Sequence, residues 1–232
     1  SPLAEKVTLK GGIVMYNLSG DRRRVTRDID FDVIHYSIDD ESIRYFVAKL
    51  NSKRDGVKAT IDGSPKRLHQ EDYNGVRVFL SLVDEAGSRV RIKLDVGVHT
   101  YTGISQQKLT FVFAESGESI TLATNPPEQV FAEKLLALSR LGTISTRYKD
   151  IYDLYYLIRE KYVTAKKVRE VIVLFLSSSQ RHPHDLDELV SGVEDTLNDP
   201  IFSASAAQPA SKWIDIGFED ARDVILDFIY RL

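Results

Sequence analysis

The chain contains no cysteine, and this absence excludes several classes of site. Without thiols there are no disulfides and no thiolate metal centres, so any bound metal must rest on oxygen or imidazole ligands. Long apolar runs are also missing, since none approaches the roughly 20 residues of a membrane-spanning helix. We therefore expect a cytoplasmic protein with no membrane partner.

An excess of positive charge is missing as well. The formal net charge is −3, which argues against a protein that coats nucleic acid through a broadly basic surface. A local basic groove is still compatible with this charge, and the run Arg22-Arg23-Arg24 with Arg27 is the candidate. The first residues have neither the basic nor the apolar region of a secretory signal.

The residues that are present divide the chain at Asn125-Pro126-Pro127. Before this point short strand patterns alternate with helices, and after it the apolar spacing is helical. We predict an α+β fold with domains over 1–125 and 126–232, and a loop over the small, polar stretch 203–211. The predicted strands are 7–10, 26–36, 57–61, 76–83, 89–98, 109–113 and 119–122, and the predicted helices are 13–18, 41–50, 128–141, 148–161, 165–177, 186–197 and 218–232.

Three aspartates alternate with apolar residues in the segment 26–33. On a strand, Asp28, Asp30 and Asp32 share one face. Clustered carboxylates repel one another unless a cation lies among them, and carboxylate oxygens suit magnesium. For an isolated pattern of this kind, a charged, solvent-facing strand is the commoner explanation. A calcium loop does not, because Val33 and Asp39 stand where an EF-hand needs glycine and glutamate.

Two neighbouring segments favour the metal site. The strand 90–98 places Arg91, Lys93 and Asp95 on one face, so Asp95 supplies a third carboxylate if the two strands are adjacent. Its other face is expected to bury Val90, Ile92, Leu94 and Val96. Gly11-Gly12 opens a helix, whose free N–H groups and dipole can hold a triphosphate.

Charged residues also recur in the helical half. Lys134 lies beside the apolar stripe of its helix, where a lysine either belongs to a site or extends to water. Arg147, Asp150 and Asp153 share one helical face, which describes an exposed ion-paired surface or part of a site. Asp185 is predicted to cap the helix after it, with His182 and His184 in a loop rather than in a metal site.

Taken together, these motifs resemble the AbiEii-like nucleotidyltransferases, the toxin components of abortive-infection toxin–antitoxin pairs. The resemblance covers about 7–157 and runs in the family's order. It rests on Leu9-Lys10-Gly11-Gly12, Arg24-Val25-Thr26-Arg27-Asp28-Ile29-Asp30-Phe31, Lys93-Leu94-Asp95, Glu133-Lys134-Leu135-Leu136-Ala137-Leu138 and Lys149-Asp150-Ile151-Tyr152-Asp153-Leu154. Ile13 departs from the family, where a hydroxyl residue often follows the glycines.

The resemblance implies a polymerase-β-like core with a mixed sheet, followed by a C-terminal helical bundle that completes the active site. It implies Mg²⁺, with two ions expected, on Asp28, Asp30 and Asp95. The residues implied in catalysis are Asp28, Asp30, Asp95, Lys134, Asp150 and Asp153. Those implied in NTP binding are Gly11, Gly12, Arg24, Thr26, Lys134 and Lys149.

The function expected from these residues is Mg²⁺-dependent transfer of a nucleoside monophosphate from an NTP to an acceptor. The acceptor expected is RNA such as the 3′ end of tRNA, held by Arg22 and Arg23, with a cognate antitoxin as protein partner. Asp95 is one candidate base for the acceptor hydroxyl, and Asp150 or Asp153 can position it equally well. Two alternatives stay open: a transferase acting on a small molecule or a protein, and an inactive relative that binds a nucleotide or a partner.

Overall fold

The computed structural model describes residues 7–26, 28–34, 38–51, 56–70, 73–99, 103–113, 116–178 and 182–232. These residues form two compact units. The first consists of the described residues within Ser1–Gly20, Val25–Thr102 and Gln106–Asn125, and the second of Asp21–Arg24, Gly103–Ser105 and those within Pro126–Leu232. The division into domains 1–125 and 126–232 stays a prediction.

A mixed sheet of eight strands forms the first unit within the described residues. Seven strands follow the order β3-β5-β6-β2-β1-β8-β7, and β4 pairs with β5. The central pair β2 and β6 is parallel, whereas β1 runs antiparallel to β2. The strands are β1 (Val7–Lys10), β2 (Asp28–Ile34), β3 (Val57–Ile61), β4 (Lys66–Gln70), β5 (Tyr73–Asp84), β6 (Arg89–His99), β7 (Gln107–Val112) and β8 (Ser119–Thr124).

One face of this sheet carries the core of the first unit. The apolar residues of β2 alternate with its aspartates, and Phe31 is buried in a cluster with Leu94 and Val96 of β6. Helix α2 (Asp40–Asn51) adds Ile43 and Val47 to the same cluster. Because strand side chains alternate between faces, packing this face leaves the aspartates of β2 on the opposite one.

Local sequence sets the ends of the two helices in this unit. The side chain of Asp39 accepts a hydrogen bond from the Ser42 N–H at 2.8 Å, which caps the start of α2. Helix α1 (Gly12–Ser19) ends at Gly20, whose φ of 61° is the left-handed conformation that glycine adopts without strain.

Helices make up the second unit. Their bounds are α3 (Pro127–Leu141), α4 (Tyr148–Arg159), α5 (Ala165–Ser178), α6 (Leu186–Asn198), α7 (Pro200–Ala206) and α8 (Phe218–Ile229). Helix α3 packs against α4, α5 and α6, and α4 packs against α7 and α8. A search of the described residues finds no helix with the length and apolarity that crossing a membrane requires.

The expected mixed sheet followed by helices is confirmed, with three local corrections. The loop predicted over 203–211 is wrong, because Asp199 caps α7 with Pro200 in its first turn and a 3₁₀ turn follows at Pro209–Ser211. Strand β4 was not predicted, since Lys66–Gln70 contains a single apolar residue. Val90 is 58% exposed rather than buried, because it lies next to the hairpin turn.

Candidate active site

The two acidic strands are adjacent in the sheet, as the third-carboxylate prediction requires. Strands β2 and β6 run parallel with Asp30 beside Asp95 and Asp28 beside Lys93. Alternation along β2 places Asp28 and Asp30 on the same face. Three carboxylates therefore converge on the polar face of the central sheet, opposite the apolar core.

Two cations, one on β6 and one on β5, form ion pairs with two of these carboxylates, Asp28 and Asp95. The Nζ of Lys93 lies 2.6 Å from Asp28 Oδ2 and 3.9 Å from Asp95 Oδ2. Arg77 on β5 donates from Nε and Nη2 to the two oxygens of Asp95, each at 2.8 Å. The Lys93 ammonium thus occupies the position of a cation shared by Asp28 and Asp95. Arg77 was absent from the predicted site.

The carboxylates of the site repel one another, and the effect is clearest in the pKa of Asp30. Its pKa is raised first because the side chain is largely buried, and then because Asp95 and Asp28 carry like charges, with Lys10 and Lys93 opposing them. An oxygen-only donor set under repulsion, already bridged by an ammonium group, fits a magnesium ion. Asp28, Asp30 and Asp95 are the residues that would hold it.

Asp32, the third aspartate of the strand, is used differently. It is buried, and its Oδ1 accepts the ammonium of Lys10 at 2.8 Å across the antiparallel pair β1 and β2. This ion pair satisfies the buried carboxylate of Asp32 within the sheet.

The glycine pair lies against the acidic strand. Gly11 precedes α1 with φ 67°, and a Cβ built on it would come 2.6 Å from Asp30 Oδ2. Only a residue without a side chain allows the backbone to approach the carboxylate this closely. The N–H groups at the start of α1 are therefore next to the carboxylates, as a combined triphosphate and metal site requires.

Gly11→Ala is expected to lower nucleotidyl transfer by about 100-fold, since displacing a reacting group by about 1 Å has an effect of that size. The matched control is Gly142→Ala, because Gly142 has φ 53° and ψ −143°, close to the φ 67° and ψ −139° of Gly11, but a Cβ there would meet only Thr196 Oγ1, at 4.0 Å. Both variants carry the backbone strain, whereas only Gly11→Ala displaces Asp30. Equal activity in steady-state assays of the two variants would contradict the role of this contact.

A second charged cluster is buried in the helical unit. Arg24 donates from Nε and Nη2 to the two oxygens of Asp153 at 2.6 and 2.7 Å. The ammonium of Lys134 on α3 contacts Asp150 and lies 2.8 Å from Asp153 Oδ2. Arg147 donates from Nε to Asp150 at 2.7 Å. Among the described residues, three positive groups and two negative groups therefore meet in this cluster.

Three members of this cluster, Asp153, Lys134 and Asp150, are buried and do not face solvent. Asp153 has no exposed surface, and Lys134 and Asp150 are 4% and 5% exposed. Desolvation opposes the charge on Lys134, but Asp150 and Asp153 outweigh it and raise its pKa. Desolvation likewise opposes charge on Asp150, whose pKa is nevertheless lowered by Lys134 and Arg147. The alternative of an exposed, ion-paired surface is therefore wrong for Asp150 and Asp153. The alternative that Lys134 extends to water is wrong as well.

The remaining predicted site residues are more dispersed. Thr26 donates its hydroxyl hydrogen bond to the Asp28 carbonyl at 3.1 Å, and Lys149 is exposed in the first turn of α4. Arg23 pairs with Asp21 and with Asp215. Arg22 is exposed and has no ion-pair partner within the described part of the chain. Arg27 lies outside the described residues.

Comparison with known proteins places this arrangement in a family. A model described as nucleotidyl transferase AbiEii toxin, Type IV TA system, matches residues 1–221. The chain belongs to the AbiEii nucleotidyltransferase toxin family. Its membership confirms the resemblance found in the sequence and the assignment as a nucleotidyltransferase, and it implies a cognate antitoxin as partner.

Other comparisons are less informative. The search of curated proteins gave no significant match. A solved structure similar to this AbiEii family member is described as an antigenic nucleotidyltransferase-like protein from Paracoccidioides brasiliensis. It shares 17% identity, with a TM-score of 0.43, over 82% of this chain and 84% of that chain.

Proposed function

We propose that this AbiEii family member transfers a nucleoside monophosphate from an NTP to RNA in a magnesium-dependent reaction, as the toxin of a toxin–antitoxin pair. The single observation that carries the proposal is the polar face of β2 and β6. There Asp28, Asp30 and Asp95 converge, Lys93 bridges two of them, and Gly11 brings a helix N-terminus against Asp30.

The residues of the first unit have complementary parts in this reaction. Magnesium on Asp28, Asp30 and Asp95 would supply a lowered pKa for the acceptor hydroxyl and charge neutralisation for the departing pyrophosphate. The N–H groups after Gly11 bind phosphate oxygens, as helix N-termini do. Lys93 provides positive charge beside the carboxylates.

The bonds exchanged are those of an in-line displacement. The acceptor oxygen bonds to the α-phosphorus of the NTP while the bond to the bridging oxygen breaks, and pyrophosphate leaves with that oxygen. The hydroxyl proton passes to a carboxylate, for which Asp95 is one candidate. Asp95 is held through both oxygens by Arg77, so its orientation is fixed before the acceptor arrives.

The helical cluster contributes electrostatics to the same proposal. Within the described residues, the cations Lys134, Arg24 and Arg147 pair with the carboxylates of Asp150 and Asp153. The side chain of Arg147 is 51% exposed, so its positive charge reaches solvent. A triphosphate is the ligand that this charge favours.

RNA is proposed as the acceptor because of Arg22. Arg24 is engaged by Asp153 and Arg23 by Asp21 and Asp215, whereas the exposed Arg22 is available to contact phosphate. A reaction on RNA with NTP also fits the cytoplasmic location proposed for the chain.

The test is incubation with each labelled NTP, Mg²⁺ and total cell RNA, comparing wild type with Arg22→Ala. We expect label in RNA, weaker labelling by the variant with a shallower salt dependence, and unchanged NTP affinity. Arg159→Ala is the control, since Arg159 is also exposed in the helical unit. If Arg22→Ala labels RNA as wild type does, Arg22 is not the RNA contact. If label is found only in a small molecule or a protein, that molecule and not RNA is the acceptor.

A further inference from the structure

A second group of metal-ligating side chains lies outside the charged clusters described above. The imidazoles of His182 and His184 and the carboxylate of Glu188 have potential ligand atoms that all lie within 4.8 Å of one another. The two rings are 4.1 Å apart, and His182 Nδ1 contacts Glu188 Oε1. All three side chains belong to the helical unit, and both histidines are exposed.

The local sequence positions these three groups before any ligand binds. Asp185 caps α6, as the sequence predicted, by accepting the Glu188 N–H at 2.8 Å. This cap places Glu188 in the first turn, where its Oε2 accepts the His184 N–H at 2.7 Å. Arg140 on α3 donates from Nε to the His182 carbonyl at 3.1 Å. The segment is therefore tied at both ends, which reduces the conformational entropy that metal binding would cost.

The donor set selects the kind of ion. Two imidazole nitrogens and one carboxylate oxygen suit zinc and related divalent transition metals, whereas magnesium prefers oxygen ligands alone. The positive end of α6 opposes a cation, but the carboxylates of Asp185, Asp187 and Glu188 in the first turn offset it. Three protein ligands leave a coordination position for water or another ligand.

We propose that His182, His184 and Glu188 form a binding site for a divalent transition-metal ion, with zinc as the ion that best fits the ligands. The sequence alone favoured a capping role for this segment, because spacing does not show that Glu188 turns back towards both histidines. Capping and metal binding use different atoms: Asp185 caps the helix, and Glu188 completes the ligand set. This site is separate from the residues proposed for nucleotidyl transfer.

The test is calorimetric titration of the full, chelator-treated chain with Zn²⁺ in a large excess of Mg²⁺, which occupies carboxylate sites but competes poorly for imidazole. We expect saturable binding of a single ion, lost in His182→Asn and in Glu188→Gln. The visible absorption spectrum of the Co²⁺-loaded chain should show imidazole and carboxylate ligation in wild type, and this signal should be absent from His182→Asn and Glu188→Gln.

The matched control is His69→Asn, since His69 lies on β4 in the other unit. It is expected to bind Zn²⁺ as wild type does. The melting curve of each variant separates loss of ligands from loss of fold, and His184→Asn gives a second, independent ligand test. The proposal is overturned if wild type shows no saturable Zn²⁺ binding. It is also overturned if His182→Asn and His184→Asn bind Zn²⁺ as wild type does.

Discussion

Replacing Asp30 by asparagine is expected to lower nucleotidyl transfer by at least about a thousand-fold, because a metal-ligand carboxylate contributes several kcal/mol to the stabilised transition state. Asparagine keeps the shape of the side chain and removes its charge. The loss should be accompanied by weaker Mn²⁺ binding, measured by electron paramagnetic resonance on the variant without substrate. Steady-state assays with saturating NTP provide the activity.

The same substitution is expected to leave the fold at least as stable at neutral pH. Burial, Asp95 and Asp28 raise the pKa of Asp30, so ionising it costs stability in the folded chain. This cost is absent below the pKa of the unfolded state and develops as pH rises through the folded-state pKa. Asparagine carries no charge to ionise, so thermal melts of the variant should not fall below those of wild type.

Asp62→Asn is the matched control for Asp30→Asn. Asp62 is a carboxylate of the same unit that pairs with Arg91 at 2.7 Å, and its side chain is 44% exposed. We expect wild-type activity and Mn²⁺ binding from this control. Wild-type transfer by Asp30→Asn, with the control unchanged, would mean that the polar face of β2 is only a charged surface.

Much of the first-unit site follows from the alternation of residues in the sequence. The period of two in 28–33 separates aspartates from apolar residues, and Gly11-Gly12 predicts the start of a helix with free N–H groups. The adjacency of Asp30 and Asp95 needed the parallel pairing of β2 and β6, which joins residues far apart in the chain. No local pattern specifies such a pairing.

Arg77 was missed although its position follows from the strands predicted over 76–83 and 89–98. These strands pair through a hairpin turn, with Val83 opposite Arg89. Counting back along the two strands from this turn places Arg77 opposite Asp95, where the structure has it. The register of the hairpin, and not residue type alone, is the signal that identifies this ion pair.

The helical unit was less predictable for a different physical reason. Helical spacing shows that Asp150 and Asp153 share a face, but it does not show what covers that face. Lys134 and Arg24 come from distant segments, and their charges make burial of the two carboxylates tolerable. Similarly, the small residues of α7 hide a helix whose Asp199-Pro200 start is its only clear signal.

Removing Asp153 is expected to destabilise the helical unit by about 3–5 kcal/mol, because it leaves buried cations without their partner. Asp153 has no exposed surface and receives two hydrogen bonds from Arg24 and the ammonium of Lys134. Urea unfolding of Asp153→Ala can be followed by the single tryptophan, Trp213, which is buried in this unit. The control Asp223→Ala breaks an exposed pair with Arg222 and should not shift the transition measurably.

A double variant separates lost pairing from lost packing. In Arg24→Met with Asp153→Leu, both members of the pair joined by two hydrogen bonds become apolar, while Lys134 keeps Asp150 as its partner. Replacing a whole buried pair by apolar residues is often close to neutral, so the double variant should recover much of the stability that Asp153→Ala loses. The single variants Arg24→Met and Asp153→Leu complete a double-mutant cycle. If their losses of stability add up to that of the double variant, Arg24 and Asp153 are not coupled. Recovery of stability without recovery of transfer would show that transfer needs the charges of this pair and not only the packing that they maintain.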